Sequence, residues 1–332
     1  MSSSGANVAP YARVTPGAWL ALLLGAAPFA ASAHEIEFAS IDKAHAVLGA
    51  RDDFVARLSP FDRAARVKSA GDVSEDEYLA FARSAAREWS NDERTRITTA
   101  FAAIEPKLDE LLPELDAPIL LIKTSGAEEG GAGYTRANAV MLPQALADEA
   151  SLERLLAHEI FHVASRNNPE LKHALYEAIG FEQCGELALP PTLAVRKMTN
   201  PDAPANEHCI EVQVDGANAW AMPILLSREE RYDPAAGVPF FGYLTLSMML
   251  VEPAVNAGAP ARPVERDGAP VILPFNQVGG VFEQIGHNTE YVIHAEEILA
   301  SNFELLVQSG ATARSPEVLE RIRAELKRAV AR

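Results

Sequence analysis

The stretch Ser151–Arg166, SLERLLAHEIFHVASR, constrains this chain more than any other. Leu152, Leu155, Leu156, Ile160 and Val163 recur at three and four positions, which predicts a helix with an apolar face on a core. Asn167-Asn168-Pro169 is its stop signal. Inside that helix stands His158-Glu159-Ile160-Phe161-His162. Residues four apart lie on one helix face, so both imidazoles can reach a single metal ion. Glu159, one position round, can touch a water beside the metal without binding the metal itself. Zinc lowers the pKa of such a water towards 7, and a carboxylate can then take its proton. The bland alternative is a surface helix that carries two histidines and no metal.

A catalytic zinc takes three protein ligands and leaves its fourth position to water. Three glutamates compete for the third place. Glu297 lies far downstream in His294-Ala-Glu-Glu-Ile-Leu-Ala-Ser-Asn-Phe303, and Glu296 is its neighbour, turned about 100° away on a helix. Glu177, in Leu175-Tyr-Glu-Ala-Ile-Gly180, follows His162 by 15 residues. Attack on a carbonyl also needs a donor for the developing oxyanion. Tyr291 and His294 suit that role, six and three residues before Glu297. His34, His45, His173, His208 and His287 have no ligand-like spacing and are expected at the surface. There is no GxSxG, Walker or GxGxxG motif to support serine-hydrolase or nucleotide chemistry.

The HEIFH segment, with a glutamate-bearing helical segment after it, resembles the zincin metallopeptidases and in particular the gluzincins. Glu297-Ile-Leu-Ala-Ser-Asn-Phe303 is similar to the third-ligand helix of toxin-type members, which implies Glu297 as the ligand. Gly133-Tyr-Thr-Arg-Ala-Asn-Ala-Val-Met-Leu-Pro143 resembles the edge strand on which zincins pair an extended substrate. Thermolysin-like members carry an aspartate four residues after the ligand glutamate to orient a histidine. Ser301 stands there in this chain, so orientation is expected to pass to Asn302 or a backbone carbonyl. The resemblance implies one zinc per chain on His158, His162 and Glu297, with Glu159 as general base and Tyr291 or His294 polarising the scissile carbonyl. The implied substrate is a peptide or protein. A zinc hydrolase of small amides or esters, and an exported zinc-binding module without turnover, are the alternatives.

Composition and layout complete the expectation. After a polar start with one charge, Arg13, the apolar run Ala18–Ala31 ends in Ala31-Ser32-Ala33, a leader-peptidase pattern. The run is shorter than the roughly 20 apolar residues that span a bilayer. It reads as a signal peptide, 1–33, cleaved before His34, for export to a periplasm or the medium. No later stretch is long and apolar enough to insert in a membrane. Cys184 and Cys209 are the only cysteines, and in an exported chain they are expected as one disulfide, worth about 3 kcal/mol for a loop of that length. The formal charge of −17 argues against nucleic acid or an anionic membrane as partner. Nothing in the sequence sets an oligomeric state. The fold class is α+β, with a zincin-like core. Its regions are a helical 34–117, strands and the HExxH helix in 118–183, a proline-rich β insertion in 184–286, and helices in 287–332.

Overall fold

Serine hydroxyls start the first helices. Ser40, Ser59, Ser74 and Ser90 cap the helices Ile41–Leu48, Pro60–Val67, Glu75–Ser84 and Asn91–Leu111. The last three are capping boxes completed by Asp62, Glu77 and Glu93, so amides without a partner inside the helix are satisfied at each entry. The computed structural model describes residues 33–148, 151–256, 258–308 and 312–332. The expected export signal lies outside the described residues except for Ala33.

The helical pattern runs on to Trp89 in the sequence, but the helix ends at Ser84. Backbone pairing takes over beyond it, because Ala86 bridges Thr124 and the amide of Arg87 donates to the Lys123 carbonyl at 2.8 Å. The partner strand belongs to a sheet of β1 (Ile36–Phe38), β2 (Ile119–Thr124), β3 (Tyr134–Arg136) and β4 (Ala139–Pro143), ordered β1-β2-β4-β3. The first three in that order are parallel, and β3 is the antiparallel edge.

A second, antiparallel sheet holds β5 (Phe181–Gln183), β6 (His208–Val214), β7 (Ala217–Ser227), β8 (Leu244–Glu252), β9 (Arg262–Pro263) and β12 (Ile272–Pro274). The small hairpin β10 (Glu265–Arg266) and β11 (Ala269–Pro270) lies between the last two in the chain. The β-type sequence Phe240–Val251 divides into a 3-10 turn, Phe240–Tyr243, and then β8. This β-rich region shares a core with the rest. Ile210, Val212, Ala221, Met248 and Leu250 pack in one cluster with Leu156, Ile160 and Phe161, and residues 32–332 form one compact unit. The far face of the sheet has its own cluster, where the expected Cys184–Cys209 disulfide lies with Met222 and Met249.

The motif helix, Leu152–Asn167, sits in the middle of this mixed α/β arrangement. Leu156, Ile160 and Val163 are fully buried as expected, but so are Ala157, Phe161 and Ala164 on other faces. A second side is covered by the helix Ala295–Val307, with the Phe161 and Phe303 rings 5.3 Å apart. Among the described residues no helix is long and apolar enough to cross a membrane.

Candidate metal centre

Two buried helices bring the ligand candidates together. His158 and His162 project from Leu152–Asn167, and Glu297 from the first turn of Ala295–Val307. Glu297 Oε2 lies 3.1 Å from His158 Nε2 and 3.7 Å from His162 Nε2. His158, His162 and Glu297 thus converge within the span of a single metal ion. His162 Nε2 is buried with no hydrogen-bond partner in this structure, and Glu159 Oε2 beside it is in the same condition. Buried polar atoms without partners are rare. One of them is a member of the converging donor set and the other lies beside it, which fits a metal ion with a water next to it.

Both histidines are held from behind. His158 Nδ1 donates to Glu304 Oε1 at 2.7 Å, and His162 Nδ1 to Glu296 Oε1 at 3.2 Å. Without metal each imidazolium also donates from Nε2 toward Glu297, and once that proton leaves, the Nδ1 bonds keep the Nε2 lone pair aimed at the same place. Glu304 is itself paired with Arg154 at 2.7 Å. Glu296 Oε2 accepts from the Tyr176 hydroxyl at 2.7 Å and from Ser165 at 3.1 Å. The orienting residue on the downstream helix is therefore Glu304, one turn beyond Ser301. Asn302, expected as an alternative, instead bonds the Ile298 carbonyl and Asn288. Removing such an oriented carboxylate typically costs 10–100-fold in metal affinity. Glu304→Ala is thus expected to weaken zinc binding by about that factor, as read by competition with a chelator. An unchanged affinity would deny Glu304 this role.

A strap from Lys197 to Asp202 completes the site, and the sequence showed no motif for it. One end is anchored where buried Arg66 donates to Glu129, Asp62 and the Thr199 carbonyl, and the Thr199 amide donates to Asp62 at 2.9 Å. Asn200 then donates to Glu297 Oε1 at 2.6 Å, fixing that carboxylate. Asp202 Oδ1 accepts from the Thr135 amide at 2.7 Å and its hydroxyl at 2.6 Å. Asp202 also groups with Glu159 and His162 through atoms that all lie within 4.8 Å of one another. Asn-Pro-Asp is an ordinary loop signal, so only its placement marks these residues.

The remaining expectations separate. Tyr291, about half exposed, lines a cleft together with Gly133, Asn200 and Asp202. His294 is the N-cap of the Ala295–Val307 helix, its Nδ1 accepting from the Glu296 amide at 3.1 Å, and it lines a different hollow. Its Nδ1 is therefore spent on the helix. Glu177 is on an exposed helix face, paired with His173 at 3.1 Å and lining a separate hollow with Trp220. Of the segment Gly133–Pro143, expected as one edge strand, only Tyr134–Arg136 lies at the sheet edge, with all three residues buried, and Ala139–Pro143 runs inside the sheet between β2 and β3. His34 and His208 are buried, against expectation. His34 bonds Asp109 and the Pro113 carbonyl, and His208 packs on Tyr176 at 4.5 Å.

The electrostatics call for a cation. Against the pull of burial, Glu297 and Glu304 hold the His158 imidazolium up to about 10. Asp202 and Glu297 raise His162 in the same way, again in opposition to burial. Burial and the nearby Asp202 push Glu159 up to about 8. Without metal, both imidazoles hold protons at pH 7, and a metal ion must displace them. Zinc binding at pH 7 is expected to release about three protons, one from each imidazolium and one from Glu159, and to weaken as the pH falls. Calorimetry in buffers of different ionisation enthalpy measures this, and release near zero would show that the imidazoles are already neutral.

Compared with family models, curated proteins and solved structures, the chain matches none.

Proposed function

We propose that this chain is an exported zinc-dependent hydrolase of peptide bonds, built around a zincin-like, gluzincin-type centre. One observation carries the reading: His158, His162 and Glu297 converge on a point beside the unpartnered Oε2 of Glu159. Two imidazoles and one carboxylate are the donor set of many catalytic zinc sites. A zinc ion held there supplies Lewis acidity and brings the pKa of water near 7.

The chain's own residues do the rest. Glu159 takes a proton from the attacking water as the new C–O bond forms. It passes that proton to the leaving nitrogen as the C–N bond breaks. Positive charge beside the two histidines returns Glu159 to its ionised form. Tyr291, at the cleft wall, donates a hydrogen bond to the developing oxyanion. Glu296 and Glu304 keep the imidazoles aimed, and Asn200 does the same for Glu297.

Export is supported by the leader-like segment 1–33 and by the disulfide. A second reading, a hydrolase of small amides or esters, draws support from the covered edge strand, since Asp202 occupies the Thr135 amide that an extended peptide needs. The test is the metal content of the purified protein, followed by turnover of a peptide library beside simple amides and esters. One zinc per chain and cleaved peptides support the proposal. No zinc after reconstitution sinks it, and cleavage of esters alone moves the assignment to the second reading.

A further inference from the structure

We propose that the site removes the amino-terminal residue of peptides, and that Asp202 recognises the free α-ammonium. The inference rests on the peptidase reading and specifies its substrate. An extended substrate adds to a sheet through the outward groups of the edge strand, which alternate along it. On β3 the outward groups belong to Thr135, with Gly133 just before the strand and Ala137 in the turn just after it. The Thr135 amide is taken by Asp202 Oδ1, and Arg166 Nη1 donates to the Ala137 carbonyl at 3.0 Å. Arg166 Nη2 adds bonds to Thr135 Oγ1 at 2.8 Å and to the Asp202 carbonyl at 3.3 Å.

What is left for a substrate is Gly133, which lines the cleft beside Ala132, whose own amide donates to the Glu129 carbonyl at 3.1 Å. That opening ends against the general base, because a Cβ on Gly133 would stand 3.0 Å from Glu159 Oε1. A substrate can extend from the reacting centre in one direction only.

The charge at the closed end says which end of a peptide belongs there. Asp202 lines the cleft, and both of its hydrogen bonds to Thr135 fall on Oδ1. A carboxylate repels the carboxyl end of a peptide and attracts the amino end. With zinc bound, the four carboxylates of Glu159, Glu296, Glu297 and Asp202 exceed by one the charges of the zinc and of Arg166 beside Asp202, and a single ammonium offsets that excess. An α-amino nitrogen is two bonds, about 2.5 Å, from its carbonyl carbon. Asp202, grouped with Glu159 and His162 around the same point, is therefore within its reach.

Antiparallel pairing also places the amino end of a substrate at the Thr135 end of β3, so direction and charge agree. The cleft walls include Met198, Leu225, Phe240, Leu244 and Ile293, with half-exposed Phe241 and Tyr291 at the mouth. They suit aliphatic and aromatic residues.

The test uses the zinc-loaded protein with leucine hydroxamate and N-acetyl-leucine hydroxamate, which chelate alike and differ in the ammonium. Calorimetry should show the free amine binding at least about tenfold tighter, the scale of one charge-assisted bond. Asp202→Asn should abolish that preference while zinc content is kept. In turnover, leucyl-phenylalaninamide should be cleaved and its N-acetyl form spared, with Asp202→Asn raising KM for the free form more than it lowers kcat. Equal or tighter binding of the acetylated hydroxamate overturns the proposal. Equal cleavage of blocked and free peptides also overturns it and leaves the peptidase reading standing. Cleavage of neither removes both. The free-versus-acetylated comparison needs no variant, so a misfolded Asp202→Asn does not spoil it.

Discussion

Glu159→Gln is expected to retain one zinc per chain and to lower kcat/KM on peptides by about 10³-fold, the middle of the range for a positioned general base. Glutamine keeps the shape of the side chain in a place where shape matters. Glu159 is buried, and a Cβ at Gly133 would stand 3.0 Å from its Oε1, so there is little room around the carboxylate. What is lost is the ability to accept a proton. Metal content measured beside turnover separates the readings. Zinc kept with activity lost identifies an enzyme with Glu159 as its base. Zinc kept with activity unchanged removes Glu159 from the mechanism. A wild type that holds zinc and turns over nothing supports the exported binding module.

Glu297→Ala is expected to strip the metal, lowering zinc affinity by about two orders of magnitude or more, since one of three protein ligands disappears. The substitution also leaves Asn200 Nδ2 facing an empty position. Glu177→Ala is the control. Its side chain is more than half exposed and touches His173, so zinc binding should not change. Metal analysis after dialysis against a weak chelator reads both variants. Retention in Glu297→Ala with loss in Glu177→Ala would overturn the assignment of the third ligand. Loss in both would point to general instability, which a melting curve distinguishes.

Much of the local structure was legible in the residues. Ser74 and Glu77 announce a helix start because a hydroxyl and a carboxylate three positions on satisfy each other's backbone amides. The apolar spacing around His158 and His162 places both on one helix turn whatever surrounds them. Glu296 and Glu297 were expected to point apart, and they do. One meets the back of His162 and the other meets the Nε2 side of both imidazoles. Where local pattern misled, a tertiary partner had intervened. The helix before Trp89 is cut short because its backbone joins β2, and Trp89 donates its indole N–H to the Leu121 carbonyl.

The sequence alone determined the motif helix, the capped helix starts, the cysteine pair and the short list of acidic ligands, because each depends on spacing along a few turns or on a count. Only the tertiary structure brought Glu297, and not Glu177, to the two histidines, made Glu304 the partner of His158, and laid Asn200 and Asp202 across the site. Those contacts join residues separated by as much as 146 positions. They follow from how helices and sheets pack, and no periodicity in the chain encodes that packing.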